Sequence, residues 1–548
     1  MTKPASEHPK GSREARTGRS GTDGSSVGAR RRARAAAAAT VGGLIVLIGG
    51  GLAAAGSALP VPASLTDSGP RMAEVPAGDT VRACRGPAQL LKGTPVDGDA
   101  EFSPDSTIAA SSVTGAVLSG PTGTVPPLEL AAPEGQAIRS VPGSKAPAGS
   151  ASQPRASVVA GQRATGPLAF TARAEGETAP SAGAFMAFSA GDGDLVGLAA
   201  AACTAPANDQ WIVGASTLVG RTSVLTLTNS STTPATVSLE FYGDEVLAQA
   251  PPGSRGLQVK PGGSTSLVLS AFVPDQRNLS VRVRSTGGPV AASVQQSTLR
   301  GLVPGGVEFL TPAAAPAPSQ TVTGLELQDP GAVRRLAAEP GFEDAAPAVQ
   351  LTVPGAVDAV VQLKVYGRSG PVPLPGGGVV TAKAGTVTEV PLAGLPAGTY
   401  SVSATADVSF TAGARVPRGT DGTKVLDFTA PGAAVRLGDS HVVPVGRDGT
   451  RALVFGVPEG RAAIRAVPVT EDGRRHAPVS LDVEGGTTAV LEAAEEAGGS
   501  PVVAYVVDAS GDPAFGTFVL IGRGTSMAEA AFVPPAAGTP ALPVSLGY

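Results

Sequence analysis

The sequence predicts an all-β chain: tandem immunoglobulin-like β-sandwich units after a single N-terminal transmembrane helix. Three observations lead there. Short runs rich in Val, Leu and Thr recur with alternating polarity, separated by Gly, Pro and Asp, as half-buried strands and tight turns require. Across 548 residues, 73 glycines and 50 prolines leave little room for long helices, while charged residues reach only 16 % and aromatics 4 %. Finally, an arginine cluster stands directly before an uncharged apolar run.

The cluster is Arg30, Arg31, Arg32 and Arg34, and the run extends from Ala35 to Leu59. Roughly 25 residues in a helix cross a hydrocarbon core of about 30 Å. Positive residues stay on the cytoplasmic side, so 1–34 reads as a basic cytoplasmic tail and 35–59 as the transmembrane helix. The tail carries net charge +6 and the whole chain −4, leaving −10 beyond the tail. A mildly acidic body argues against nucleic acid as a partner. A cleaved signal peptide is the competing reading, because Ala53-Ala54-Ala55 and Ser57-Ala58 offer small residues to a peptidase. Against it, the basic region starts far from Met1 and the apolar run is longer than a usual signal core. Both readings put the bulk of the chain outside the cytoplasm.

Residues 60–80, with Pro60, Pro62, Pro70 and Pro76, read as a Pro/Ala-rich stalk. Residues 81–205 read as an irregular β region, in which strand-like pieces such as Leu168 to Ala172 alternate with Gly/Pro/Ser-rich stretches such as Pro142 to Pro154. The two cysteines, Cys84 and Cys203, fall on the exported side, where a pair of thiols is expected to form a disulfide. Closing a loop of about 100 residues stabilises a fold by roughly 4 to 5 kcal/mol in the chain-entropy model.

Residues 206–312 read as the first sandwich unit. Ser223 to Thr228 and Val237 to Phe241 alternate cleanly, and Leu257 to Lys260, Pro261-Gly262-Gly263 and Thr265 to Leu269 suggest a hairpin. After a connector over 313–348, a second unit over 349–432 repeats the order. Val361 to Gly367 matches Val237 to Gly243, Lys383-Ala384-Gly385-Thr386 answers Lys260-Pro261-Gly262-Gly263, and Ser401-Val402 answers Ser280-Val281. A third unit over 433–548 carries a fainter copy at Glu484 to Thr488, and Phe309 and Phe428 open matching exit segments. Uneven spacing of the matches argues against a closed propeller.

No catalytic constellation emerges. Of three histidines, His8 is in the tail, and His441 and His476 read as solvated loop residues; no HExxH or CxxC spacing is present. Gly214-Ala215-Ser216-Thr217-Leu218 lacks the second glycine of a nucleophile elbow, and Gly367-Arg368-Ser369-Gly370 reads as a hairpin tip. Asp97-Gly98-Asp99 and Asp192-Gly193-Asp194 lack the further ligands of a calcium loop, and Glu492, Glu495 and Glu496 read as a solvated acidic loop. No catalytic, cofactor or metal residue is therefore assigned. Trp211, the sole tryptophan, is the one candidate ligand contact, although a lone large ring in an Ala-rich fold is first a packing resource.

The stretch Cys203 to Phe309 resembles an actinobacterial family of uncharacterised membrane-anchored or secreted proteins, defined only as a domain of unknown function. The resemblance rests on Cys203, Trp211-Ile212-Val213-Gly214, Leu225 to Asn229, Pro234 to Val237, Tyr242-Gly243, Lys260-Pro261-Gly262 and Pro289 to Ser293. It implies an exported β-rich protein of the cell envelope and no activity. The expected function is thus a non-catalytic, membrane-anchored extracytoplasmic protein with a binding or structural role through sandwich loops. Expected partners are the membrane and an envelope glycan or another membrane protein. A carbohydrate-binding module and a cryptic glycan-active hydrolase are the alternatives.

Overall fold

Successive side chains on a strand point to opposite faces, so a strand with one face in a core must alternate. Strand Ala235–Tyr242 does so: Ala235, Val237, Leu239 and Phe241 are buried and the residues between them are half-exposed. The computed structural model describes residues 71–73, 78–94, 103–120, 123–144, 155–174, 179–247, 249–447, 449–536 and 542–544. Strands dominate, and the described residues hold one α-helix, Pro330–Ala337. That helix starts where Asp329 caps it, accepting the Ala332 N–H at 2.9 Å, with Pro330 in its first turn. It buries Val333 and Leu336, the latter packing with Phe342, Ala345 and Leu426.

Residues 74–541 form one compact unit. Its strands fall into four successive modules of two antiparallel sheets each, over 80–202, 209–310, 317–429 and 441–531. Module two shows the plan. Its eight strands are Asp209–Ala215, Arg221–Asn229, Ala235–Tyr242, Leu257–Val259, Gly263–Val268, Leu279–Gly287, Ala291–Arg300 and Val303–Leu310. One sheet orders them first, sixth, third, fourth; the other fifth, second, seventh, eighth. Modules one and four repeat this order, leaving aside the two-residue strand Glu496–Ala497. Module three repeats it with two changes: its sixth and seventh strands are a single 21-residue strand, Gly398–Arg418, which passes from one sheet into the other, and an additional short strand, Gly370–Val372, pairs with its third strand. Module two breaks at this point with Gly288-Pro289, and module four with Asp512-Pro513, whereas module three has no Gly or Pro between Tyr400 and Thr411. Each module closes over its own apolar core, with Phe170, Ile212, Phe410 and Phe455 among the fully buried side chains. Burial of each such side chain contributes about 1.5–3 kcal/mol.

Three expectations need correction. The segment 81–205 is not irregular: it holds two four-stranded antiparallel sheets tied by the Cys84–Cys203 disulfide, with both cysteines buried. The connector 313–348 is not free of the sheets, since Ala317–Leu327 pairs with Gly398–Arg418 as the first strand of module three. The Pro261-Gly262-Gly263 turn does not close a hairpin. Leu257–Val259 pairs with the third strand and Gly263–Val268 with the second, so the turn steps from one sheet to the other. The turns at Lys383 to Thr386 and at Gly485-Gly486 make the same step in modules three and four. Each has a glycine in the left-handed region, Gly262 at φ +63, Gly385 at +73 and Gly486 at +75, which lets a short link change sheets without strain.

The modules meet through their eighth strands: Gly197–Ala202, Val303–Leu310, Asp427–Thr429 and Met527–Ala531. The first packs on the second, the second on the third, the third on the fourth, and the fourth on the first, closing a circuit. These strands are nearly all buried, and the first is Gly-Leu-Ala-Ala-Ala-Ala. Small side chains allow four backbones to approach this closely, which gives the high alanine content a structural use.

A separate unit contains the antiparallel pair Arg71–Ala73 and Leu542–Val544. No helix among the described residues is long and apolar enough to cross a membrane. The tail 1–34, the run 35–59 and most of the stalk lie outside the described residues.

Candidate functional site

Trp211 is on the first strand of module two, where its backbone pairs with Arg282 and bridges to Ala313. Its side chain is only 4 % exposed. The ring lies 5.3 Å from that of Tyr242, and the Arg282 guanidinium stands 5.1 Å from it. Arg282 is held in place by Asp209 at 2.9 and 2.6 Å. This is a packing position, not an open platform for a sugar. Tyr366 is also buried.

His441 corrects the loop reading. It begins the first strand of module four and is buried. Its Nε2 accepts the Gly438 N–H at 3.0 Å, so the proton sits on Nδ1, 3.2 Å from the Val533 carbonyl. Burial lowers its pKa. His476 lies 2.9 Å from the Thr470 hydroxyl. Ser216 donates to the Gln276 carbonyl at 3.0 Å, and Arg368-Ser369 is the two-residue tip between Val365–Gly367 and Gly370–Val372. Asp192 caps its own neighbourhood: Ser106 and the Thr107 hydroxyl donate to it and hold its carboxyl at about 2. Asp97 and Asp99 lie outside the described residues. The described residues contain no group of three or more side chains suited to a metal ion.

The circuit of eighth strands carries three carboxyls that sequence reading passed over: Glu308, Asp427 and Glu529, all buried. Asp427 accepts the backbone N–H groups of Leu198 at 3.0 Å, Phe428 at 3.0 Å and Met527 at 3.1 Å. Glu308 accepts those of Ala200 at 3.2 Å and Phe309 at 2.8 Å. No Lys or Arg forms an ion pair with any of the three among the described residues. Burial pushes Asp427 and Glu308 well above the usual carboxylate range, with Glu529 and Asp427 adding to the rise at Glu308. Glu529 rises to about 8 from burial alone. Asp427 and Glu308 stitch strands together, and Asp427 also lines the hollow beside the circuit.

Beside this circuit, where module two meets module three, lies a hollow of about 30 Å³ that four arginines help to line: Arg221, Arg277, Arg300 and Arg415. Strands position three of them. Arg221 opens the second strand of module two, Arg300 closes the seventh, and Arg415 is in the long strand of module three. Asp344, from the segment after the helix, accepts Arg221 at both oxygens, at 2.9 and 2.6 Å, and Arg300 at 2.9 Å. Burial would raise the Asp344 carboxyl, but the bond from Arg221 and the charges of Arg300 and Arg221 outweigh it and hold it at about 2. Arg415 pairs with Glu389 at 3.0 Å and Asn278 at 3.3 Å. Arg300 also stacks over Phe342 at 4.9 Å. Arg277 is exposed, and Glu343 acts on it from the Asp344 segment. The Nε atoms of Arg300 and Arg415 are buried and have no hydrogen-bond partner. Nothing in the local sequence marks this cluster, because its members are spread from position 221 to 415.

A second groove, of about 700 Å³, runs between modules three and four, lined in part by Tyr366, Pro371, Pro373, Leu374, Pro458 and Gly485. Its lining is prolyl and apolar, with Lys364 and Glu459 paired at 3.4 Å.

A family model described as a family of unknown function (DUF5719) matches residues 158–494. No curated protein matches the chain. The match starts within module one and ends within module four, well beyond the stretch that carried the resemblance in the sequence.

Proposed function

We propose, from the premise that the chain belongs to this family of unknown function (DUF5719), that it is a non-catalytic, single-pass membrane-anchored protein of the bacterial cell envelope. Its four-module body stands outside the cytoplasm and binds an envelope glycan or another membrane protein. The observation that carries this reading is the buried Cys84–Cys203 disulfide, which belongs in an oxidising compartment and agrees with the arginine-flanked apolar run. The use of polar groups supports a role without catalysis: Asp427 and Glu308 accept backbone N–H groups and Asp344 pairs with arginine, so each is engaged in holding the fold. We take the modules as immunoglobulin-like in a broad sense. The second–fifth and third–sixth pairings keep the partition of the B, E and C, F strands of that fold, while the first and seventh strands exchange partners, the first lying beside the sixth and the seventh beside the second.

Protease added to intact cells tests the reading. Residues 74–541 should be digested from outside, with the tail protected until lysis. Full protection in intact cells alongside digestion in lysates overturns the envelope assignment.

A further inference from the structure

The hollow between modules two and three has the chemistry of an anion site. Four guanidiniums line it together with the carboxyls of Asp344 and Asp427; Asp344 and Glu389, which pair with the arginines, neutralise only half of that charge, and burial holds Asp427 well above the usual carboxylate range. Near Arg277, Glu343 and Asp244 are both exposed to solvent, and Asp244 is engaged by the Arg277 backbone N–H at 2.7 Å. The Arg300 side chain is 9 % exposed, yet its Nε donates to nothing, and the Nε of Arg415 repeats the pattern. Buried guanidinium donors without acceptors are destabilising and rare in a well-formed core. Two of them on arginines lining one hollow, with an exposed third arginine at its side, form a set of donors matched to an oxyanion.

Size decides which oxyanion. A water needs about 10–15 Å³ of such space, so a hollow of about 30 Å³ takes a group of two or three heavy atoms. A carboxylate fits and a tetrahedral phosphate does not. Thr298 and Gln296 add polar lining, and the Gln296 amide oxygen is already engaged by the Ser216 N–H at 2.8 Å.

We propose that this hollow is a carboxylate-binding site, with Arg277, Arg300 and Arg415 as donors and the Asp344–Arg221 pair as its rigid wall. Its ligand would be the free carboxylate of a peptide or an acidic sugar. The proposal rests on the reading of the chain as a binding protein; protease exposure on cells tests that reading separately and is unaffected by the outcome here.

Isothermal titration of the full-length chain with sodium acetate, sodium phosphate and sodium chloride at matched ionic strength tests the site. Acetate should bind about tenfold more tightly than either of the others. Arg277→Ala, at an exposed position outside the cores, should weaken acetate about fivefold or more with the thermal midpoint unchanged. Arg300→Lys keeps the charge but loses the planar donor set, and should also weaken it. Acetate heats equal to those of chloride, tighter binding of phosphate, or unchanged acetate affinity in Arg277→Ala each overturns the proposal.

Discussion

The carboxyl of Asp427 accepts the backbone N–H of Leu198 at 3.0 Å, joining strands 229 residues apart in the chain. Both belong to the circuit of eighth strands, so one side chain links module three to module one. The same carboxyl takes the Met527 N–H at 3.1 Å and so reaches module four. Asp427→Ala would leave several buried donors unmet, each worth about 1–3 kcal/mol. Urea unfolding should show a loss of at least about 3 kcal/mol for that variant, whereas Asp427→Asn, which keeps an acceptor oxygen, should lose much less. Equal losses for both variants would show that the hydrogen bonds are not what Asp427 supplies.

Glu529 makes stability depend on pH in a definite direction. Its folded pKa is about 8 against an ordinary 4.5. The folded state therefore holds a proton that the unfolded chain releases above pH 4.5. The resulting stabilisation is complete below that pH and is lost as pH rises through about 8. Each tenfold gain in proton affinity on folding is worth about 1.4 kcal/mol, so the change amounts to several kcal/mol. The thermal midpoint should fall from pH 5 to pH 8, and Glu529→Gln should flatten that fall without abolishing it, because Glu308 and Asp427 shift in the same direction. An identical slope in the variant would assign the effect elsewhere.

Asp344 sets the opposite limb. Held at about 2 against an ordinary 3.8, it contributes stability above pH 3.8 that disappears as pH falls through 2. Together the two groups place the stability maximum on the acid side of neutrality. Asp344→Ala should be strongly destabilising, by about 3–5 kcal/mol, because it strands two buried guanidiniums. Midpoints measured from pH 2 to 8 on the parent and on Asp344→Ala should show the acid limb flattened in the variant but not abolished, because Asp192 and Asp421 are also held at about 2; an identical acid limb would refute the assignment.

What the sequence made legible follows from the physics of each element. Strand Ala235–Tyr242 alternates because one face is wet, so its period is visible in the residues. The Pro261-Gly262-Gly263 turn was visible too, but glycine fixes only the local reversal and not the sheet that the next strand joins. Glu308, Asp427 and Glu529 stand alone among apolar neighbours, and alternation reads such a residue as solvent-facing. Only the packing of the modules on one another buries them. The arginine hollow was illegible for a related reason: Arg221, Arg300, Asp344 and Arg415 meet only once two modules and a connecting segment have folded.

The disulfide separates module one from the rest. Cys84 and Cys203 are 119 residues apart, so their link removes roughly 4–5 kcal/mol of loop-closure entropy from the unfolded chain. Cys84→Ala/Cys203→Ala should raise hydrogen exchange across Thr80–Ala202 far more than across His441–Ala531. Uniform exchange gains in both modules would mean that they open as one cooperative block.

Contact between modules one and four rests on the absence of a side chain. Gly183 is in the strand Ala182–Ala190, and a Cβ there would stand 2.1 Å from the carbonyl oxygen of Val442, on strand His441–Pro444. Backbone cannot yield as a flexible side chain can, so Gly183→Ala must push the two strands apart, at a cost of about 1–3 kcal/mol. Gly355→Ala is the matched control, since a Cβ at that position meets nothing within 4 Å. Chemical unfolding of both variants should show a clear loss for Gly183→Ala and almost none for Gly355→Ala. The loss should come with faster exchange in Val442 and its neighbours, which a defect confined to module one would not produce. A Gly183→Ala chain as stable as its parent would mean that the two modules are not held at this distance in solution.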